Sequence, residues 1–282
     1  MNVLVTGANG FIGSNIVSKL STNLKFNVFK GTRDTIDLLS SNGVQKYIEN
    51  NNINSVIHCA IEGGSRLKKD DGEMFYRNIL MYENLIKFKS HYKLFINLAS
   101  GAEFDRNLNI DNRIESDIFN SVPKDYYGLA KNIISKSVRQ FEFGHNFRIF
   151  GCFYHNELDT RFIKNNIKNY INKKPISIHQ DKYMDYIYLD DLYTIIEYYL
   201  TNPPYKSTDI NMSYIKKYKL SDIANIINNL DSHKVDINIE NENLGFSYTG
   251  SSNYLMSLGL KLKELELGIE EIYGGDKFNV LH

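Results

Sequence analysis

The chain opens Asn2-Val3-Leu4-Val5-Thr6-Gly7-Ala8-Asn9-Gly10-Phe11-Ile12-Gly13-Ser14-Asn15, and the reading of this stretch decides the fold. An apolar run breaks into three glycines, after which apolar residues resume at helical spacing at Ile12, Ile16, Val17 and Leu20. A strand, a glycine turn and a helix in this order form the part of a βαβ unit that receives a pyrophosphate. Gly7 allows the tight turn, Gly10 lets backbone approach phosphate, and Gly13 lets the helix pack on the strand while its first amides face the anion. The spacing is GxxGxxG rather than the commoner GxGxxG, but its position between one strand and one helix is the context the motif requires. A dinucleotide site is expected, with Gly7, Asn9, Gly10, Phe11, Ile12 and Gly13 against the cofactor.

Working outward, strands are expected at Asn2 to Thr6, Asn27 to Gly31, Ser55 to Cys59, Leu94 to Leu98 and Phe147 to Phe150, with helical patterns between them. Such alternation gives an α/β fold with a doubly wound parallel Rossmann sheet. Beyond Gly151 the pattern changes. A helix near Thr160 to Asn172, strands at Ile176 to His179 and Tyr186 to Tyr188, and a helix from Asp190 to Leu200 are followed by a strand at Asp209 to Met212. A Ser221-capped helix to Leu230, a strand at Val235 to Ile239 and a last helix near Leu262 to Tyr273 complete the chain. The expected division is a dinucleotide-binding domain over residues 1–153 and a smaller α/β substrate domain over 154–282, with about 180–200 returning to the core.

A second motif, Asp125-Tyr126-Tyr127-Gly128-Leu129-Ala130-Lys131, opens an amphipathic segment. Tyr127 and Lys131 stand four apart, on one helical face and within reach of a common ligand. An ammonium beside a phenol favours the phenolate, so the Tyr127 pKa is expected below its ordinary value of about 10. The strand Leu94-Phe95-Ile96-Asn97-Leu98-Ala99 ends on the hydroxyl of Ser100, and strand ends of a parallel sheet face the ligand crevice.

With these residues in hand, the chain resembles the extended short-chain dehydrogenase/reductases, specifically the NAD-dependent epimerase/dehydratase family that works on nucleotide sugars. The resemblance runs through TGANGFIG at 6–13, His58-Cys59-Ala60, Asn78, Ser100, Tyr127 with Lys131, and Asp185-Tyr186-Ile187-Tyr188-Leu189-Asp190-Asp191, which is similar to the family's RDFxxVDD stretch. It implies Ser100, Tyr127 and Lys131 as the catalytic residues, Ala60, Asn78, Tyr127 and Lys131 among the cofactor contacts, and Ser100 and Gly101 at the substrate. The arginine that usually opens RDFxxVDD is Met184 here, and Arg161 is a candidate replacement charge for the substrate diphosphate.

Cofactor choice is read at the end of the second strand, where NAD enzymes place a carboxylate for the ribose hydroxyls. Here Lys30 and Arg33 follow the strand, and an arginine grips a 2′-phosphate in bidentate fashion, so NADP(H) is favoured over NAD(H). Asp34 keeps NAD(H) open. The stretch Thr32 to Leu38 also resembles that of GDP-fucose synthases and related NADP-linked ketoreductases, which implies Asp37 and Leu38 at the adenine.

The residues after Ser100 discriminate among reactions. The family's 4,6-dehydratases carry an Asp-Glu pair where this chain has Gly101-Ala102, and elimination needs titratable groups there. GDP-fucose synthases epimerise with a cysteine two residues after the serine, which is Ala102 here, and a histidine absent from Asp159-Thr160-Arg161-Phe162. Glu103 falls where the family places a packing residue. The expected reaction is C4 reduction of an NDP-4-keto-6-deoxyhexose, as in GDP-fucose synthase and dTDP-4-dehydrorhamnose reductase types. An NAD-dependent nucleotide-sugar 4-epimerase uses the same three residues and is the alternative, and a non-catalytic dinucleotide sensor is a third reading.

Composition bounds the partners. The 282 residues hold 33 basic and 33 acidic side chains, a balance with no footprint for nucleic acid or a membrane surface. No apolar run approaches the roughly 18 residues of a span, and the first strand is not a signal sequence, so a cytoplasmic protein is expected. Cys59 and Cys152 stand far apart without CxxC spacing, and His58, His91, His145, His155, His179 and His233 form no ligand cluster, so no metal is expected. Apolar faces at 74–90 and 126–143 allow the homodimer that the resemblance implies.

Overall fold

The computed structural model describes residues 1–64, 69–204 and 206–280. In chain order the elements are β1 (Asn2–Thr6), α1 (Phe11–Leu20), β2 (Asn27–Gly31), α2 (Ser41–Asn50), β3 (Ser55–His58), α3 (Gly72–Ile86), β4 (Leu94–Ser100) and β5 (Ile110–Arg113). Next come α4 (Tyr126–Val138), β6 (Gly144–Ile149), β7 (Cys152–Phe153), α5 (Phe162–Ile171), β8 (Ile176–Gln180), β9 (Ile187–Tyr188) and α6 (Leu189–Thr201). The remainder is β10 (Thr208–Met212), α7 (Leu220–Asn228), β11 (Ile237–Asn241), β12 (Tyr248–Gly250), α8 (Asn253–Ser257) and α9 (Glu264–Val280). These elements form two compact units, one of residues 1–107, 115–148 and 193–210, the other of 108–114, 149–192 and 211–282.

The first unit is built on a six-stranded sheet in the order β10-β6-β4-β3-β1-β2. β2, β1, β3 and β4 run parallel, with Thr6 beside Gly31 on one side and His58 on the other, and His58 beside Asn97. Val3, Leu4, Val5, Val56, Ile57, Phe95 and Ile96 lie at 0 % exposure, because helices cover both faces of a parallel sheet and its strands read as continuous apolar runs rather than alternating ones. On one face Leu4, Val56 and Phe95 pack with Val44 and Ile48 of α2, Met81, Tyr82 and Leu85 of α3, and Ile134 and Val138 of α4. Asp71 caps α3 through the Met74 N–H, and Asp125 caps α4 through the Gly128 N–H, each at 2.8 Å.

In the second unit three parallel two-stranded pairs, β8 with β11, β5 with β12 and β7 with β9, accompany α5, α7, α8 and α9. The carboxylates of the Asp185 to Asp191 stretch work as fasteners. Asp185 accepts from the Ser213 hydroxyl at 2.6 Å, the Gly250 N–H at 2.8 Å and the Lys217 ammonium at 2.9 Å. Asp191 accepts the N–H groups of Lys263 and Glu264 at 2.8 and 2.9 Å, satisfying two amides that the start of α9 would otherwise leave open.

Three details differ from the sequence expectations. The strand near Asp209 to Met212, expected with the second domain, is the sixth strand of the main sheet, paired with β6. Asp209 and Asn211 made it look half-polar, yet all five of its residues are buried, with Asp209 taking an N–H from Asn146 at 2.7 Å. Ser221 does not cap α7; Lys219 is the cap residue, and Ser221 lies inside the helix, giving its hydroxyl and N–H to the two oxygens of Asp181 at 2.7 and 3.0 Å. The segment shared with the core is 193–210, and 108–114 joins the second unit.

Replacing Ile57, at 0 % exposure in the centre of the sheet, by alanine leaves a void that flanking strands cannot close. The expected loss is about 2–5 kcal/mol of unfolding free energy, measured by urea titration followed by circular dichroism.

Candidate active site

β1 leads to β2 on one side and the chain then returns to β3 on the other, so the strand order reverses at the carboxyl ends of β1 and β3. In open α/β sheets ligands bind at such a switch point. The glycine turn sits here. Gly7 has φ +64°, and a Cβ on it would stand 2.8 Å from the Ala60 backbone nitrogen. A Cβ on Gly13 would stand 2.3 Å from the Gly7 carbonyl oxygen, so only glycine lets α1 start so close to the turn. Gly10, the N-cap of α1, brings no side chain, and no side chain caps the first amides. A cradle of backbone amides without side chains fits the pyrophosphate of a dinucleotide.

Beneath the turn, the Thr6 hydroxyl accepts the Ala60 N–H at 3.1 Å and lies 2.9 Å from His58 Nδ1. Burial, with the nearby Lys131 charge, pushes His58 down to about 3, so the ring is neutral and acts as a brace. Asn78 is buried on α3, where it accepts the Glu62 N–H at 2.8 Å and donates to the Glu62 carbonyl at 2.9 Å. It orders the chain after Ala60. Arg33 is 91 % exposed, with Glu62 3.4 Å away, while Asn9 is also exposed at the turn. Asp37 accepts the Leu39 N–H at 2.9 Å, and the Leu38 side chain is buried in the core beside Val44 and Leu85.

Ser100, Tyr127 and Lys131 come together at the end of β4. Ser100, 8 % exposed, is the last residue of the strand and caps a short 3₁₀ turn over Gly101–Phe104, accepting the Ala102 N–H at 3.2 Å. The Ser100 hydroxyl is near enough to the Tyr127 phenol to lower its pKa. One helical turn on, Lys131 is 3 % exposed and donates to the Leu98 carbonyl at 2.5 Å. Burial lowers the Lys131 ammonium to about 8, against the opposing pull of Glu103 and Cys59.

The phenol departs from expectation. Burial raises the Tyr127 pKa, and the lowering effects of Ser100 and of Arg106, whose guanidinium lies 5.6 Å from the ring centroid, do not reverse it. Lys131 spends its hydrogen bond on a backbone carbonyl rather than on the phenol. Tyr127 is therefore a neutral hydroxyl, suited to give a proton.

Comparison with known proteins follows this geometry. Residues 3–213 match the family model described as "NAD dependent epimerase/dehydratase family". The chain belongs to this family. It is thereby an NAD(P)-dependent enzyme of the extended short-chain dehydrogenase/reductase type. No curated protein matches the sequence. Among solved structures, a GDP-mannoheptose C4 reductase from Campylobacter jejuni with NADP bound is 18 % identical, with 98 % of each chain covered and a TM-score of 0.82. A GDP-L-fucose synthetase from Naegleria fowleri bound to NADP is 14 % identical over 99 % of this chain and 94 % of that one, at TM-score 0.81. A Thermus thermophilus UDP-glucose 4-epimerase in complex with NAD is 19 % identical over 99 % of both chains, at 0.77. At these identities the likeness is one of fold.

In this epimerase/dehydratase chain, Arg161 belongs to the second unit, as the N-cap residue of α5, 53 % exposed and 3.8 Å from Glu157. Burial pushes the Glu157 carboxyl up to about 8, so at neutral pH it does not offset the arginine charge. Both cysteines are free thiols, and among the described residues no cluster of three His, Cys, Asp or Glu could hold a metal. No helix among the described residues is long and apolar enough to cross a membrane.

Two residues escaped the sequence reading. Gly64, at φ +71°, abuts the phenol, and a Cβ there would stand 2.8 Å from Tyr127 Cε2. Only the Gly63-Gly64 pair hinted at it. Glu103, read as a packing position, accepts the Ser100 N–H at 2.9 Å; its spacing of three from a cap serine is the available signal.

Gly13→Ala is expected to fold with a displaced turn and to lose dinucleotide affinity by on the order of 100-fold, measured by NADPH fluorescence titration beside a circular dichroism spectrum.

Proposed function

We propose that this protein is an NAD(P)H-dependent ketoreductase of nucleotide sugars that reduces C4 of an NDP-4-keto-6-deoxyhexose, with NADP(H) as the favoured cofactor. The observation that carries the reading is the gathering of the Ser100 hydroxyl, the Tyr127 phenol and a buried Lys131 at the end of β4, with no second free acid or base at the residues that follow Ser100. Gly101 and Ala102 do not titrate, and Glu103 is fully buried against Arg148. This equipment serves proton delivery to a ketone, and it lacks what elimination or epimerisation beside the ketone requires.

The reduced nicotinamide, when bound, supplies the hydride. The chain's own residues do the rest. Tyr127 gives its phenolic proton to the ketone oxygen as negative charge develops there, and the Ser100 hydroxyl hydrogen-bonds the same oxygen. Lys131 holds the nicotinamide ribose and keeps a positive charge near the phenolate left behind. Gly7, Asn9, Gly10, Phe11, Ile12 and Gly13 hold the pyrophosphate, with Ala60 and Asn78 behind them and Asp37 and Leu38 toward the adenine. Arg33, 91 % exposed and paired with Glu62 at 3.4 Å, takes the 2′-phosphate. Gly101 adjoins the substrate, and Arg161 pairs with its diphosphate. The bound NADP of the C. jejuni reductase and the N. fowleri synthetase supports this cofactor choice. A homodimer through α3 and α4 is part of the same proposal, supported by exposed Tyr76, Tyr126 and Ile133 on those helices.

The test is incubation with NADPH or NADH and a panel of freshly generated NDP-4-keto-6-deoxysugars, following loss of absorbance at the nicotinamide band and product stereochemistry. Consumption of NADPH with a 4-hydroxy product is expected. Tightly held NAD with interconversion of two nucleotide sugars and no added reductant would instead establish a 4-epimerase. Tyr127→Phe is expected to reduce kcat by about 10²–10⁴-fold. Because the Lys131 ammonium is present below its pKa of about 8 and lost above it, while Tyr127 titrates higher, turnover is expected to fall as pH rises through 8.

A further inference from the structure

Three residues beyond Ser100 lies a carboxylate that neither the sequence motif nor the proposed chemistry uses. Glu103 has no exposure to water, and each of its named partners is a donor. Oε1 accepts the Ser100 N–H at 2.9 Å and the Ser135 hydroxyl at 2.8 Å, and Oε2 accepts Arg148 Nε–H at 2.9 Å. Arg148, on β6, is equally buried; its guanidinium lies 5.0 Å from the Phe104 ring centroid and 3.7 Å from Asp209 of β10. The network continues as Asn97 donates to Asn146 at 2.8 Å and Asn146 donates to Asp209 at 2.7 Å. It thus ties β4, α4, β6 and β10 to the residue that carries the Ser100 hydroxyl.

We propose that Glu103 is a positioning residue: braced by Arg148, its carboxylate fixes the Ser100 backbone and is the buried negative charge that keeps the Lys131 ammonium in place beneath Tyr127. This rests on the roles given above to Ser100, Tyr127 and Lys131. Stability alone does not account for the carboxylate, since a buried ion pair is often no better than apolar residues of the same volume. Direct proton transfer to a ligand does not account for it either, because Glu103 is sealed from water and its oxygens are occupied.

Electrostatics point the same way. The titratable groups that act on Lys131 or feel its charge are Glu103 from the 3₁₀ turn, His58 at the end of β3 and Cys59 just after it. Of these, His58 is neutral and burial pushes Cys59 up to about 12, so Glu103 is the anion that opposes the burial of the ammonium. Burial raises the Glu103 carboxyl, and the opposing pull of Arg148 from β6 at 2.9 Å, with the Ser100 N–H and the Ser135 hydroxyl, favours the carboxylate, while Asp209 from β10 and Glu115 act on the arginine. Removing the Glu103 charge lowers Lys131, and it lowers Tyr127 as well.

The experiment compares wild type, Glu103→Gln, Glu103→Asp and Ser135→Ala as full chains, with melting curves as the check on folding. NADPH affinity is measured by fluorescence from pH 6 to 10, and turnover over the same range on whichever keto-sugar the panel identifies. In Glu103→Gln the pH at which affinity and turnover fall is expected to move down by about one unit. Turnover at neutral pH drops on the order of tenfold with the sugar KM little changed, a split that mere loosening of the fold would not give. Glu103→Asp restores the wild-type limb in part. Should Glu103→Gln not fold, Ser135→Ala, which removes one donor and keeps the charge, is expected to leave the pH limb at its wild-type position while turnover at neutral pH falls by a smaller step, and a limb displaced downward in this variant overturns the proposal. Folded variants whose pH limb and turnover match wild type overturn the proposal. The binding arm needs no sugar, so a panel without turnover would count against the ketoreductase reading while the affinity profiles still decide the role of Glu103.

Discussion

Glu103 and Arg148 meet inside the first unit with no exposure to water, 2.9 Å apart. Charges taken out of water are tolerable only when every lone pair and proton finds a partner, so this contact imposes positions on its surroundings. Ser100 must present its N–H, Ser135 its hydroxyl and β10 its Asp209. Ser100 is held at the strand end by this demand, and Tyr127 meets it there. The cluster is thus continuous with the core of the sheet, and the precision of the site comes from strands rather than from loops.

The glycine turn poses a complementary constraint. At Gly7 and Gly13 the fold excludes side chains, and the ends of β1 and β3 supply the Thr6 hydroxyl and a neutral His58 to support the backbone that remains. A pyrophosphate binds to amides, so the absence of side-chain atoms is the functional property. Substitutions in this segment act by filling space, whereas those around Lys131 act by changing charge.

Much of this was legible in the residues themselves. Strands β1, β2, β3, β4 and β6 were expected from the residues, although β6 begins at Gly144 rather than Phe147 because His145 and Asn146 are buried against Thr208 and Asp209. What was not legible depended on partners distant in sequence. The strand at Asp209 to Met212 was expected, but not its place in the main sheet, because the Asn146 amide that donates to Asp209 and the Arg113 backbone carbonyl that accepts from Asn211 lie far away in sequence. Ser221 looked like a helix cap, but Asp181 already serves the first turn of α7. The direction of the Tyr127 shift was misread because proximity of Lys131 was weighed without burial, and Lys131 had a carbonyl at Leu98 to satisfy. For Glu103 the spacing of three from Ser100 was readable, but its burial against Arg148 was not, since that partner stands 45 residues on.

The pairing of β10 with β6 carries a consequence for synthesis. The six-stranded sheet gains its last strand from residues 208–212, after the polypeptide has passed through the 149–192 segment of the second unit. Until that stretch leaves the ribosome, β6 presents an open ladder edge, and the buried arginine on it lacks the aspartate of its neighbour. An amino-terminal fragment ending near residue 153 would carry Gly7, Gly10 and Gly13 together with Ser100, Tyr127 and Lys131, yet remain an unfinished sheet prone to self-association. Nascent-chain maturation here waits on the carboxyl-terminal half.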